Sequence, residues 1–138
     1  IGDWSFLAEL LKRKQVINVD TQLTGMNIPY TKKDPNTEFK YFQASYAVNE
    51  QVELFSRYEH GYWDTYNKSG ANLLGLDPSF GYHKNWVNGV DWYINDSLLL
   101  KAEYHRIKGC ASLHWTNNDL TNLEDKWSMY MLQLVYHF

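Results

Sequence analysis

Residues 127–138 alternate with period two through to the last position. Counting back from Phe138 gives Tyr136, Leu134, Leu132 and Tyr130, a face that is wholly apolar or aromatic. The intervening residues His137, Val135, Gln133, Met131 and Met129 form a mixed face. Such alternation is the signature of a β-strand, which sends successive side chains to opposite sides. Aliphatics at the centre with aromatics at each end suit a strand whose one face meets bilayer hydrocarbon, the aromatic rings standing at headgroup level. The alternative for this segment alone is a strand of a soluble sheet.

Composition fits the same reading. The chain has 138 residues, a length for one domain, and we treat residues 1–138 as that domain. Mean hydropathy is negative and no run approaches the roughly 18 apolar residues of a membrane helix. Barrel strands alternate, so half of each can be polar without leaving the membrane. Aromatics make up 17% of the chain, with 11 Tyr and 6 Trp, residue types that collect at membrane–water interfaces. The three prolines, Pro29, Pro35 and Pro78, fall between the alternating segments. This is expected where every strand N–H must donate. The formal net charge of −3 comes without a basic tract, so nucleic acid is not an expected partner. Cys110 is the only cysteine, which excludes an intrachain disulfide. The chain opens on Ile1-Gly2-Asp3-Trp4 without a signal peptide. The expectation is a removed leader or a piece of a longer chain.

Two segments resemble each other at an offset of 46 positions, residues 45–60 and 91–106. Each reads strand, tight turn, strand, with Asn49 and Asn95 at the turns, and Asn is a hairpin former. Parity sets the turn length. Phe42, Ala44, Tyr46 and Val48 descend on one face, and Val52, Leu54, Ser56 and Tyr58 ascend on the same one. Val90, Trp92 and Ile94 descend likewise, followed by Leu98, Leu100, Ala102 and Tyr104. For Val48 to oppose Val52, and Ile94 to oppose Leu98, each loop must hold three residues. A further ascending strand carries Trp4, Phe6, Ala8 and Leu10 on this face. Six strands are thus expected, near 3–14, 38–48, 52–63, 85–94, 98–108 and 126–138. Long connections at 15–37, 64–84 and 109–125 alternate with the two short turns.

Long loops at one end and short turns at the other is the build of outer-membrane barrels, with the short turns periplasmic. The fold class expected is all-β: an antiparallel up-and-down transmembrane barrel. Six strands are too few to close one, and open edges facing lipid would leave backbone groups unsatisfied. The expectation is therefore six C-terminal strands of a larger barrel, or a barrel shared between chains.

At this point the residues resemble a family. The stretches 41–46, 53–58, 99–106 and 132–138, the last ending in Phe138, are similar to the final strands of porin-like outer-membrane proteins of Gram-negative bacteria. The likeness is nearest to the phosphate-selective porin O/P type. It covers the last hundred residues well and the first forty loosely, and it speaks for architecture more than for solute. It implies a large single-chain barrel, often a homo-oligomer, that passes small solutes and needs no cofactor. It also implies integral residence in the bacterial outer membrane among lipid and lipopolysaccharide, and a terminal strand presented to the barrel assembly machinery. The remaining strands of the same barrel would be partners in closure. Asn88, an amide on the expected lipid face, departs from the pattern.

The expected lipid-facing residues are Phe42, Tyr46, Leu54, Tyr58, Trp92, Leu100, Tyr104, Tyr130, Leu132, Leu134, Tyr136 and Phe138. The opposite face carries Glu9, Arg13, Glu53, Arg57, Glu59, Asp91, Lys101, Glu103 and His105, the expected pore lining. A charge at mid-depth on a lipid face costs roughly 2–4 kcal/mol, so confinement to one parity supports the register. Lys12, His60, Arg106 and Lys108 have lipid-side parity, but at outer strand ends, where long side chains reach headgroups. The inner charges either line a water-filled pore and set its ion preference or pair across strands and fill the interior; Asp91 and Lys101 are within reach of each other. The histidines His83, His105, His114 and His137 lack metal-ligand spacing, and no nucleophile is marked. Asp77, Asp119, Glu124 and Asp125 in the long loops read as solvated loop charges or as carboxylates facing divalent ions that bridge lipopolysaccharide, with calcium binding the alternative. The expected function is a porin-like channel for passive diffusion of small hydrophilic solutes or ions, not an enzyme. Two alternatives remain: a scaffold barrel that encloses or anchors a partner, and a soluble β-barrel or lipid-binding protein.

Overall fold

The computed structural model describes residues 2–14, 36–69, 77–113 and 123–138. They form one six-stranded antiparallel sheet in strict sequence order. The strands are β1 (Trp4–Lys14), β2 (Asn36–Ala47), β3 (Val52–Tyr62), β4 (Tyr82–Asn95), β5 (Leu98–Lys108) and β6 (Lys126–Tyr136). Each pairs only with its neighbours in the chain, so β1 and β6 are open edges and the sheet is not closed. Of the expected connections, 15–35 lies outside the described residues, as do parts of the other two long ones.

Register follows from the turns. In the first hairpin Ala47 opposes Glu53 and the Val48 N–H donates to the Val52 carbonyl at 2.9 Å, which leaves three residues in the loop, as parity requires. Asn49 Oδ1 accepts from the Gln51 and Val52 N–H groups, both at 2.9 Å, an Asx turn that fixes the bend. The second hairpin differs from expectation. Asn95, not Ile94, opposes Leu98, so the loop holds Asp96 and Ser97 alone. The register shifts between Tyr93 and Asn95, where Ile94 is an extra residue in the ladder. A β-bulge absorbs one residue and restores parity beyond it, so Trp92 still opposes Leu100. Asn95 Oδ1 accepts from the Ser97 N–H at 3.0 Å.

The result is a simple rule: away from that bulge, even-numbered residues of all six strands share one face and odd-numbered residues the other. A ladder row of the even face reads Trp4, Tyr46, Leu54, Val90, Ala102, Leu132. Asn88, the departure noted above, stands on this face opposite Ser56, whose hydroxyl donates to its Oδ1 at 3.0 Å. The amide is therefore partnered within the face.

At the long-loop end, the 3-10 turn Pro78–Gly81 leads into β4 with Ser79, Phe80 and Gly81 buried. Asp77 caps it by accepting from the Ser79 N–H at 2.8 Å. The Cys110 N–H donates to the Ser79 carbonyl at 2.8 Å, and Trp63 Nε1–H to the Ala111 carbonyl at 3.0 Å, so the described loop ends are tied together. Phe80 and Cys110 are buried there.

Gly89 shows how the odd face is packed. The Phe55 ring lies over it, and a Cβ at Gly89 would overlap that ring and come within 3.0 Å of the Ala102 carbonyl oxygen. An aromatic covering a cross-strand glycine pins register. Gly89→Ala is expected to destabilise the sheet by about 1–3 kcal/mol. Combined with Phe55→Ala, it should cost less than the sum of the two single changes, measured as unfolding free energies in urea.

Candidate functional site

The odd face of β2–β5 is polar and buried together. Ser45, His83, Asn85, Asp91 and His105 are buried, interleaved with Phe55, Val87 and Ile107. Half-buried Arg57 and Glu59 come from β3, and Lys101 and Glu103 from β5.

Arg57 is the hub. Its Nε lies 2.6 Å from Glu59 Oε1, its Nη1 donates to Gln43 Oε1 at 3.3 Å, and its Nη2 stands 3.7 Å from Glu103 Oε2. The guanidinium also sits over the Phe55 ring, 5.8 Å from its centroid. Glu59 Oε2 accepts from Asn85 Nδ2 at 2.9 Å and faces His83 Nε2 at 3.6 Å. Asn85 Nδ2 also contacts His105 Nδ1 at 3.0 Å. That contact makes Nδ1 the acceptor and places the ring proton on Nε2. His105 Nε2 lies 3.0 Å from Glu103 Oε2 without hydrogen-bond alignment. A closed circuit thus runs Arg57–Glu59–Asn85–His105–Glu103 across three strands. Nearer the short turns, Lys101 Nζ donates to Asp91 Oδ2 at 2.7 Å, the pair its spacing suggested.

Four buried polar atoms on this face have no hydrogen-bond partner among the described residues: Asn85 Oδ1, Asp91 Oδ1, Glu103 Oε2 and His105 Nε2. Buried polar groups in folded proteins are satisfied by protein or by water. This face is therefore chemically a wet one, with both charge signs held in place.

The expected lining residues do not all converge. Arg57, Glu59, Glu103 and His105 join one network and Asp91 and Lys101 form a pair. Glu9 and Arg13 stand on the exposed edge strand β1, and half-buried Glu53 lies across the ladder from Asp91. Gln43, His83 and Asn85 belong to the site and were missed, because charge parity singles out ions and passes over amides. Ser112 Oγ lies 3.0 Å from His83 Nδ1, whose Nε2 faces Glu59, and among the described residues no group of His, Cys, Asp and Glu is arranged to hold a metal ion. His114 and Asp119 lie outside the described residues.

The even face is the inverse. Phe42, Leu54, Tyr58, Trp92, Tyr130, Leu132, Leu134 and Tyr136 are all exposed, and Tyr46, Leu100 and Tyr104 are half-buried. Phe138, beyond β6, is exposed too. Their rings make a chain of contacts, with Trp4–Tyr46 centroids 5.0 Å apart, Tyr58–Trp86 5.6 Å and Tyr104–Tyr130 4.9 Å. The aromatics are not confined to the strand ends as the terminal strand suggested, since Trp4 and Tyr46 share a row with Leu54 and Leu132. A ladder row runs perpendicular to the strands, so in a tilted sheet it crosses several depths.

Compared with known protein families, with curated proteins and with solved structures, the chain matches none. The resemblance to porin-like proteins rests on the strand motifs alone. The fold by itself is an all-β, up-and-down, six-stranded sheet compatible with a segment of a β-barrel.

Lys101→Met would leave Asp91 buried with neither carboxylate oxygen partnered. Lys101 is partly exposed, so the expected loss is roughly 1–3 kcal/mol, below that of a fully buried pair. Adding Asp91→Asn should recover part of it. A double-mutant cycle by urea unfolding measures both.

Proposed function

We propose that this sheet is part of an outer-membrane β-barrel, porin-like, that works as a passive channel for small hydrophilic solutes or ions. The observation that carries the reading is an inversion of sidedness. Asp91, Asn85, His83 and His105 are buried, while Phe6, Trp86, Leu132 and Tyr130 are between 49% and 82% exposed. A soluble sheet of this size does the opposite, burying its apolar face against a second layer. Among the described residues no second layer covers the even face. In a barrel the even face meets hydrocarbon and the odd face lines an aqueous lumen.

Strand length supports the same placement. Each strand has 11 to 14 residues, enough to cross a bilayer at the usual tilt, which takes about 9–11. The open edges β1 and β6 need partners, because an unpaired edge in lipid costs several kcal/mol per unsatisfied group. Those partners are further strands of the same barrel or strands of other chains.

The mechanism is diffusion through the lumen, biased by its fixed charges. The Arg57–Glu59–Glu103–His105 circuit and the Asp91–Lys101 pair hold their charged groups against one another and shape the wall. Exposed Glu9 and half-buried Glu53 are the carboxylates freest to act on passing ions. No catalytic step is proposed. The second reading, a scaffold barrel whose lumen is filled by a partner, draws on the same paired charges.

Conductance separates the two. The intact natural chain, extracted in detergent and added to a planar bilayer, is expected to give stepwise current increments. With Glu9→Gln and Glu53→Gln together, the reversal potential in a KCl gradient should move toward anion preference. Insertion without conductance would favour the scaffold. A conducting channel whose reversal potential ignores both substitutions would remove these residues from the lumen.

A further inference from the structure

The even face carries one row that does not fit hydrocarbon: Lys40, His60, Lys84, Lys108 and Lys126 are consecutive ladder partners across β2–β6. Arg106 lies on the same face one row nearer the short turns, opposite Trp86. Among the described residues only Lys40 of this row is answered by a carboxylate, Glu38, at 3.6 Å. Among the described residues, Lys84, Lys108 and Lys126 form no ion pair. Lys84 opposes Lys108 and Lys108 opposes Lys126 directly, an arrangement of like charges that destabilises a sheet unless an anion sits between them.

Their depth can be measured along the strands. Lys108 is ten residues from Leu98, and Lys126 ten from Tyr136, at the short-turn end of the sheet. Ten residues rise about 33 Å. At a tilt of about 40° this becomes roughly 25 Å, the height of the apolar band of a barrel. The three lysines, on adjacent strands about 4.8 Å apart, step in depth by roughly 3 Å per strand at that tilt and so stand close together near the far boundary of that band. Tyr82 and Trp86 bracket Lys84 on its own strand, and its Nζ lies 5.9 Å from the Tyr82 ring centroid. At the short-turn end Leu98 pairs with Asn95 and Tyr136, and the next row inward, Val52, Trp92, Leu100 and Leu134, has no charge at all.

We propose that Lys84, Lys108 and Lys126 form a binding site for the phosphate groups of anionic lipid headgroups, on the long-loop side of the membrane only. The proposal rests on the barrel reading above. Ammonium groups on three neighbouring strands face one interface, and a headgroup phosphate lodged between them relieves the repulsion that the ladder imposes. Arg106 reaches the same level by extending its stem along Trp86. The opposite boundary, without cations, has no such preference, so the sheet distinguishes the two leaflets.

The test is tryptophan quenching by brominated lipids. The intact natural chain is reconstituted in vesicles of phosphatidylcholine with brominated phosphatidylglycerol, or with brominated phosphatidylcholine, as the quencher. A basic residue at an anionic surface is worth about a fivefold preference. Quenching by the anionic lipid is expected to exceed that by the zwitterionic one by at least this factor. The K84Q/K108Q/K126Q variant should bring the ratio close to one. Should that variant fail to insert, K108Q alone carries the comparison and should lower the ratio severalfold. Equal quenching of the wild-type chain by both lipids, or a ratio unchanged in the variant, overturns the headgroup site and leaves the barrel reading standing. Quenching by neither lipid overturns the barrel reading itself, and this proposal with it.

Discussion

Everything in this molecule depends on the parity of its ladder. Six strands are paired in sequence order with a register that keeps even residues on one side and odd residues on the other. A slip of one residue in any pair would carry Asp91, Arg57 or Glu103 into the apolar face and bury Leu54 or Trp92 among ions. The two Asx turns at Asn49 and Asn95, and the bulge at Ile94, are the local devices that hold that register. The Phe55 ring seated on Gly89 is the tertiary one.

With parity fixed, the two faces impose opposite demands. The odd face brings acids and bases from β3, β4 and β5 close enough to neutralise each other, with amides from Gln43 and Asn85 completing the circuit. Among the described residues, the large apolar side chains of the even face have no protein partner layer, and the edges β1 and β6 are open. On the barrel reading we propose, lipid answers the first demand and further strands answer the second. The row of lysines is where cations line up on the even face across adjacent strands.

Most of the fold was legible because period-two alternation is a local signal. The strand at 98–108 was read to the residue, since Leu98, Leu100, Ala102 and Tyr104 alternate cleanly with Lys101, Glu103 and His105. The start of β4 was read three residues late, because Tyr82, His83 and Lys84 are not apolar on alternate positions, and only pairing with β3 shows them to be strand. The second turn was misjudged by one residue, since a bulge keeps parity while changing the count. The site was less legible. Asp91 and Lys101 sit ten residues apart in one hairpin, whereas the Arg57–Glu103 contact spans 46 positions. Of the basic row, His60 and Lys108 were legible at outer strand ends, but their alignment with Lys40, Lys84 and Lys126 was not, since each strand contributes one cation and only cross-strand register lines them up.

The central claim is that even residues face lipid while odd residues face water. Single nitroxide labels at Leu100, Lys101, Ala102, Glu103, Tyr104 and His105 of the intact chain in vesicles test it residue by residue. Collision rates with oxygen, which partitions into hydrocarbon, are expected to be high at 100, 102 and 104. Collision rates with a water-soluble nickel chelate should be high at 101, 103 and 105. Nickel access at the even positions, or the absence of any alternation, would contradict the account.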